Sequence, residues 1–259
     1  ALHYYCGTAG KGHPIDFTEP DWYELLGKAD RMESLINLHW SAMGETDPQH
    51  QVKLVVDEWG AWHRAGTEVH PAYIFGQVPT LRDALISALT LDTFNRHADK
   101  VVMANVAQLI NNLHCLFLAR EDQFTVTPNY HVFEMYAAHA GGQSVRTLFS
   151  APPVAYAAAG KSASLWGLAG SASLHGKQVV LTVVNPHASQ ARESEIAVRG
   201  ATIRSGQVRT LTANDIHAHN TFANPRGLEP KDGELAVRGP VVAYRFPAAS
   251  VTRLHLTLA

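Results

Sequence analysis

The chain has 259 residues, 46% of them hydrophobic, and a formal net charge of −2. That length builds one large or two medium domains around a real core, and its interspersed acids and bases exclude a basic face for nucleic acid or an anionic membrane. No segment reaches the about 18 consecutive apolar residues of a membrane span, no basic-then-apolar leader is visible, and Cys6 and Cys115 make no disulfide framework, which points to a reduced, cytoplasmic protein.

Taken in order, Ala1-Leu2-His3-Tyr4-Tyr5-Cys6 reads as a buried strand. It lacks an initiator Met, which fits either a cut chain or a processed terminus. Trp22, Leu25, Leu26, Ala29, Met32, Leu35, Ile36 and Met43 then recur at helical spacing, behind the capping pattern Thr18–Asp21 with Pro20 in the first turn. The apolar run Val52–Val56 is too short and too β-branched for a helix and reads as a strand. A loop from about Gly60 to Val78 leads to a second capping pattern, Thr80–Asp83, and a helical stripe of Leu81, Ala84, Leu85, Ala88, Leu91 and Phe94. Lys100–Asn105 is another short buried strand, and Thr127-Pro128 opens a helix from Tyr130 to about Ala140, stopped by Gly141-Gly142. Strands without polar alternation, each followed by a helix, argue for parallel βα units covered on both faces.

Near residue 145 the helical patterns stop. Val179–Val184 before Asn185-Pro186, Ser194–Val198 before Gly200, Val241–Phe246 before Pro247, and Val251–Leu258 alternate with regular turn signals. These read as an antiparallel β-sandwich. The expected division is therefore residues 1–145, an α/β part, and 146–259, an all-β part.

Asp57-Glu58-Trp59 closes the strand Val52–Val56, where β/α barrels place their functional groups. Successive residues of an extended strand point to opposite sides, so only one of the two carboxylates is expected to face a pocket. The other pairs or caps. Trp59 and Trp62 follow the strand and Tyr4 and Tyr5 end the preceding one; flat rings beside a carboxylate suit a sugar, and equally suit an aromatic core.

The residues also carry a family resemblance. Val55-Val56-Asp57-Glu58-Trp59-Gly60-Ala61-Trp62 resembles the nucleophile strand of the α-L-arabinofuranosidases of glycoside hydrolase family 51, and His3-Tyr4-Tyr5 resembles the strand before it. Thr80–Leu85, Met103–Gln108 and Thr127–Phe133 resemble later segments in the right order. The resemblance implies a (β/α)8 barrel followed by a jelly-roll-like sandwich, with residues 1–145 supplying barrel strands six to eight. It implies retaining hydrolysis of terminal α-L-arabinofuranosyl groups from arabinan or arabinoxylan fragments, without a cofactor, by a homo-oligomeric cytoplasmic enzyme. By position, Glu58 is the nucleophile and Tyr5 hydrogen-bonds it, orienting it and keeping it ionised. His3 supports the pocket floor, Trp62 walls the sugar site, and Gln108 binds a sugar hydroxyl; Trp59, the flat ring next to Glu58, is a further candidate for contact with the sugar.

The family's acid/base is the Glu of an Asn-Glu pair on an earlier strand, and this sequence has no Asn-Glu dipeptide. Neither Glu68, in a loop and expected to be solvated, nor Glu134, on a helix face, suits that role. The expectation is half a catalytic pair, completed by an N-terminal barrel segment. The alternatives are an inactive fragment or a carbohydrate-binding module. The pairs His63/His70 and His217/His219 lack zinc-site spacing, so no metal is assigned. Cys115 lies in an apolar run that suits an inert thiol.

Overall fold

In the computed structural model, residues 1–6, 12–158, 160–237 and 241–259 are described. The first three apolar runs pair side by side. β1 (Leu2–Cys6), β2 (Leu54–Ala61) and β3 (Val101–Val106) form a parallel sheet in that order. Parallel neighbours need crossovers. The first is α1 (Glu19–Ala29) with α2 (Arg31–Gly44), and the second is α3 (Leu81–Arg96). Both capping boxes form: Thr18 with Asp21 starts α1, and Thr80 with Asp83 starts α3. The stripe from Trp22 to Met43 is thus two helices. Asp30 stays in the right-handed helical region, but its N–H bonds Lys28 O, so the α-helical ladder is interrupted while the buried side continues through Ala29 and Met32.

Strand boundaries and burial depart from the sequence reading. Val52 is outside β2 and 63% exposed, whereas β2 runs on through Glu58 to Ala61. Among the described residues the sheet is covered on one face only. Leu2, Leu54, Val56, Trp59 and Val101 pack on Met32, Ile36 and Phe94 of the helices. On the edge strand β3, Val102 and Met103 remain 63% and 56% exposed. Lack of polar alternation had implied two covered faces; here the second face has no layer over it among the described residues.

After β3 comes a hairpin that the sequence reading left out, β4 (Phe117–Arg120) with β5 (Gln123–Val126), turning through Glu121 at φ 56°. Next is α4 (Pro128–Tyr136), continued by a 3-10 turn at Ala137–His139 and ended where Gly141 takes φ 76°.

The rest is antiparallel. The strands are β6 (Gln143–Val145), β7 (Val154–Ala158), β8 (Lys161–Leu165), β9 (Ala169–His175), β10 (Gln178–Asn185), β11 (Arg192–Ile196), β12 (Ile203–Thr212), β13 (Lys231–Glu234), β14 (Val242–Phe246) and β15 (Ser250–Leu258). A six-stranded sheet has the order β13-β12-β15-β10-β9-β6, and β11-β14 and β7-β8 form two-stranded sheets. Leu181, Val183, Leu254 and Leu256 of the large sheet pack with Ile196, Val242 and Phe246 of the β11-β14 sheet, which makes the sandwich core.

The helices and the sandwich share one core. Trp22, Leu26, Leu85 and Met135 pack with Val184, Leu211 and Val251. Buried Trp22 Nε1 donates to Pro186 O at 2.9 Å, and Ala188 N–H donates to Tyr23 Oη at 3.0 Å. Asp92, fully buried on α3, accepts from Ser171 Oγ and Thr182 Oγ1 of the sandwich, both at 2.6 Å, and from Tyr136 Oη of α4 at 2.8 Å. The parallel sheet is therefore held against the sandwich by α1, α3 and α4.

Candidate active site

A β-bulge shapes the middle of β2. Against β1 the register passes from Leu2↔Val56 to His3↔Glu58, so one residue of β2 has no counterpart. Against β3 it passes from Val56↔Ala104 to Trp59↔Val106, again with an extra residue in β2. A bulge re-aims side chains. Asp57 and Glu58 are both half-buried, between buried Val56 and buried Trp59. The expectation that the two carboxylates point to opposite sides is therefore corrected. His3 Nδ1 lies 3.7 Å from Glu58 Oε2 and His3 Nε2 lies 3.9 Å from Asp57 Oδ2, so both reach one imidazole.

Tyr5, at the end of β1, donates its hydroxyl to Glu58 Oε2 at 2.9 Å. Burial, then this bond and the nearby carboxylate charge, push the Tyr5 hydroxyl well above its ordinary range, so it stays a donor. Trp62 meets the Tyr5 ring edge-on at 5.3 Å and 76°. Phe75, from the loop before α3, also meets the Trp62 ring edge-on, at 4.7 Å. Gln108 is exposed just beyond β3. His3, Tyr5, Glu58 and Trp62 are thus joined by direct contacts.

Trp59 is not part of this group. It is 1% exposed and packs between Phe94, Phe133 and His114. The bulge absorbs one residue, so Trp59 falls on the same buried side as Val56 and serves the core under the helices rather than the open face.

Behind the open face lies a buried polar group that sequence reasoning did not find. Asp83 is 1% exposed. Its Oδ1 accepts from His63 Nε2 at 3.0 Å and lies 3.7 Å from His114 Nδ1, while its Oδ2 accepts from Thr80 N–H at 2.8 Å and Thr80 Oγ1 at 3.1 Å. Burial alone would raise this carboxyl; His63 and His114 outweigh it and hold the group well below the usual carboxylate range. The capping pattern was legible, but not the second use of the same side chain. Among the described residues, no three His, Cys, Asp or Glu side chains are arranged to hold a metal ion.

The remaining candidates have other partners. Glu68 is not simply solvated: it clasps its own loop, accepting from Gly66 N–H at 2.7 Å. Glu134 pairs with Arg209 of β12 at 3.1 Å. Burial pushes the Cys115 thiol up to about 12, as an inert thiol requires. His217 contacts Asp215 and Phe17 O, and among the described residues no helix is long and apolar enough to cross a membrane.

Comparison with known proteins bears on all of this chain. The Alpha-L-arabinofuranosidase C-terminal domain family matches residues 57–250. An intracellular exo-alpha-L-arabinofuranosidase of Bacteroides ovatus is 28% identical over 239 residues, covering 87% of this chain and 44% of that protein. An intracellular exo-alpha-(1->5)-L-arabinofuranosidase of Bacillus subtilis is 26% identical over 115 residues, covering 42% of this chain and 23% of that protein. The crystal structure of the GH51 arabinofuranosidase from Xanthomonas axonopodis pv. citri superposes with a TM-score of 0.91 at 32% identity, over 98% of this chain and 52% of that one. The chain spans about half the length, or less, of these relatives. With the sandwich seen and the match running through Glu58 to the last strand, the chain belongs to the α-L-arabinofuranosidase C-terminal domain family, within the family 51 enzymes that its ordered motifs resemble.

Proposed function

We propose that this chain carries the nucleophile half of a retaining α-L-arabinofuranosidase site. In this reading β1, β2 and β3 are three strands of a (β/α)8 barrel, and a complementing N-terminal segment supplies the other strands and the acid/base. Glu58 Oε attacks the anomeric carbon of a terminal arabinofuranosyl group. The bond to the leaving oxygen breaks as the acid/base protonates it, and water then hydrolyses the glycosyl ester with net retention. Tyr5 orients Glu58, His3 sits between the two carboxylates under the sugar, Trp62 walls the sugar ring, and Gln108 bonds a hydroxyl. Arabinan or arabinoxylan fragments are the substrates, in a cytoplasmic homo-oligomer, with no cofactor.

The observation that carries this reading is the Tyr5–Glu58 hydrogen bond on an open sheet face, at a bulge near the C-terminal ends of parallel strands. Barrel enzymes place catalytic groups at those ends. The two edges of the three-stranded sheet, and exposed Val102 and Met103, support completion by further strands. The same features favour a second reading, in which the chain alone is inactive and at most binds the sugar through Tyr5 and Trp62.

The test combines the chain with a complementing barrel segment that bears an Asn-Glu pair. Hydrolysis of an aryl α-L-arabinofuranoside is expected to appear, and to fall by about 10³-fold or more in Glu58→Ala. Full turnover in that variant refutes the nucleophile assignment. Robust hydrolysis by the chain alone refutes the need for a complement. An activated 2-fluoro arabinofuranoside, whose phenolate leaves without an acid, should add one glycosyl mass at Glu58.

A further inference from the structure

Two segments frame Glu58 on its C-terminal side, and one buried carboxylate touches both. The first is Gly60–His63, which ends β2 and carries Trp62. The second is the chain at His114, between β3 and β4. His63 directly follows Trp62, and its Nε2–H is held by Asp83 Oδ1 at 3.0 Å. His114 lies 3.7 Å from the same oxygen, fixes its other nitrogen on Ser87 Oγ at 2.7 Å, and packs against Trp59 at 5.9 Å. Its fit on β2 is close: a Cβ at Gly60 would lie 2.5 Å from His114 Cβ. Asn129 of α4 donates to His114 O at 3.1 Å, so the segment is anchored from a second side.

Asp83 itself cannot drift. It is in the first turn of α3, which is buried along nearly its whole length, and its other oxygen is tied to Thr80 in the capping box. A cap needs one oxygen and could be met on the surface. Burying the carboxylate behind a sheet, with its second oxygen bonded to His63 and the His114 ring 3.7 Å away, goes beyond capping, because a buried charge is costly unless paired.

We propose that Asp83 is a positioning residue for the reaction: through His63 it fixes Trp62, and through His114 it fixes the backbone at Gly60, so that Trp62, Tyr5 and Glu58 keep one arrangement. The path runs Asp83–His63, then by the peptide bond to Trp62, by ring contact to Tyr5, and by hydrogen bond to Glu58. Asp83, His63 and His114 are all buried, so in this proposal they act through Trp62 and Gly60 and not on the sugar. The kinetic part of this inference rests on the proposed glycosidase reading; the geometric part does not.

The test changes His63, which leaves the capping box intact. In the complemented enzyme, His63→Ala is expected to lower kcat/KM on an aryl α-L-arabinofuranoside by about tenfold or more, since small misplacements at a site are felt strongly. His63→Gln, which keeps an N–H for Asp83, should recover to within about threefold of the parent. In a Trp62→Ala background the same His63→Ala change should cost less than about twofold, because the two act in series. A cost of equal size in both backgrounds, or parent activity in His63→Ala, overturns the proposal.

A readout on the 259-residue chain decides the matter without turnover. The Trp62 indole N–H and the Tyr5 ring resonances, assigned with Trp62→Phe and Tyr5→Phe, should both shift in His63→Ala and return in His63→Gln. Unmoved resonances in His63→Ala refute the inference even if Glu58 is the nucleophile. If they move as expected while Glu58→Ala keeps turnover, it is the glycosidase assignment that falls.

Discussion

Replacing Asp92 by Asn should stabilise the protein at alkaline pH and leave it unchanged in acid. Asp92 is fully buried between α3, α4 and the sandwich, and burial, only partly offset by three hydroxyl donors, raises its pKa from 3.8 to about 6. A folded-state value above the unfolded one means that the fold favours the neutral acid. That contribution is complete below the unfolded value and is lost as pH rises through about 6. The gap of about two units corresponds to about 3 kcal/mol between the two protonation states. Asn is neutral at every pH. Its oxygen can keep Ser171 and Thr182, and its amide can donate to the Tyr136 oxygen. Relative to the parent, Asp92→Asn should therefore melt at the same temperature at pH 3, below the unfolded value of 3.8, and up to about 6–12 °C higher at pH 8. Asp92→Ala should melt lower at both pH values, because three buried hydroxyls lose an acceptor worth about 1–3 kcal/mol each. Other titrating groups are common to both proteins and cancel in the difference. If Asp92→Asn is less stable than the parent at pH 8, the hydroxyls fully compensate the charge and the argument fails.

Tyr5→Phe removes the hydroxyl held by Glu58 and should lower glycosylation by about 5–30-fold in the complemented enzyme, a charge-assisted bond discounted for its half-exposed setting, with thermal stability within about 1 kcal/mol of the parent. Stopped-flow release of an activated phenolate measures it, and an unchanged rate removes Tyr5 from the site. Gly60→Ala should destabilise the chain by about 3 kcal/mol, since the residue has φ 148° and the new Cβ would meet His114 at 2.5 Å. Chemical denaturation reads this, and a loss under about 0.5 kcal/mol would mean that the β2–His114 contact is loose.

Much of this was legible in the chain because local chemistry and tertiary context agree. Thr18–Asp21 and Thr80–Asp83 each announced a helix start that forms. The runs at Val179, Val241 and Val251 became strands within a residue of their expected bounds, because β-branched residues suit a pleated, packed surface: β10 is buried on both faces, and β14 and β15 bury alternate residues more deeply. What failed depended on pairing. Nothing in Val56-Asp57-Glu58-Trp59 announces an extra residue in β2; the bulge is visible only from the registers of β1 and β3, and it decides that Asp57 and Glu58 share His3 while Trp59 turns inward. The hairpin at Phe117–Val126 was missed because its strands are four residues each, around Glu121-Asp122 with no glycine in the turn. Asp83 was read as a cap alone, since His63 and His114 meet it only through the fold.

Helix α3 relates the site to the sandwich. Asp83 and Asp92 lie on it nine residues apart, about 13.5 Å at helical rise, and both are essentially fully buried. One holds the segments that carry Trp62 and flank Gly60; the other holds Ser171 and Thr182 of the sandwich. A three-stranded parallel sheet with one open face has little rigidity of its own, because pairing and packing are incomplete on one side. Its helices gain theirs from the core they share with Val184, Leu211 and Val251. The sandwich thus braces the strand that bears Glu58 from behind, through a helix anchored at both ends. Loosening the Asp92 anchor without losing the fold would then reach Trp62 along the length of α3, whereas loosening the outer strands β11 and β14 would not, since neither belongs to the core that α3 shares with the large sheet.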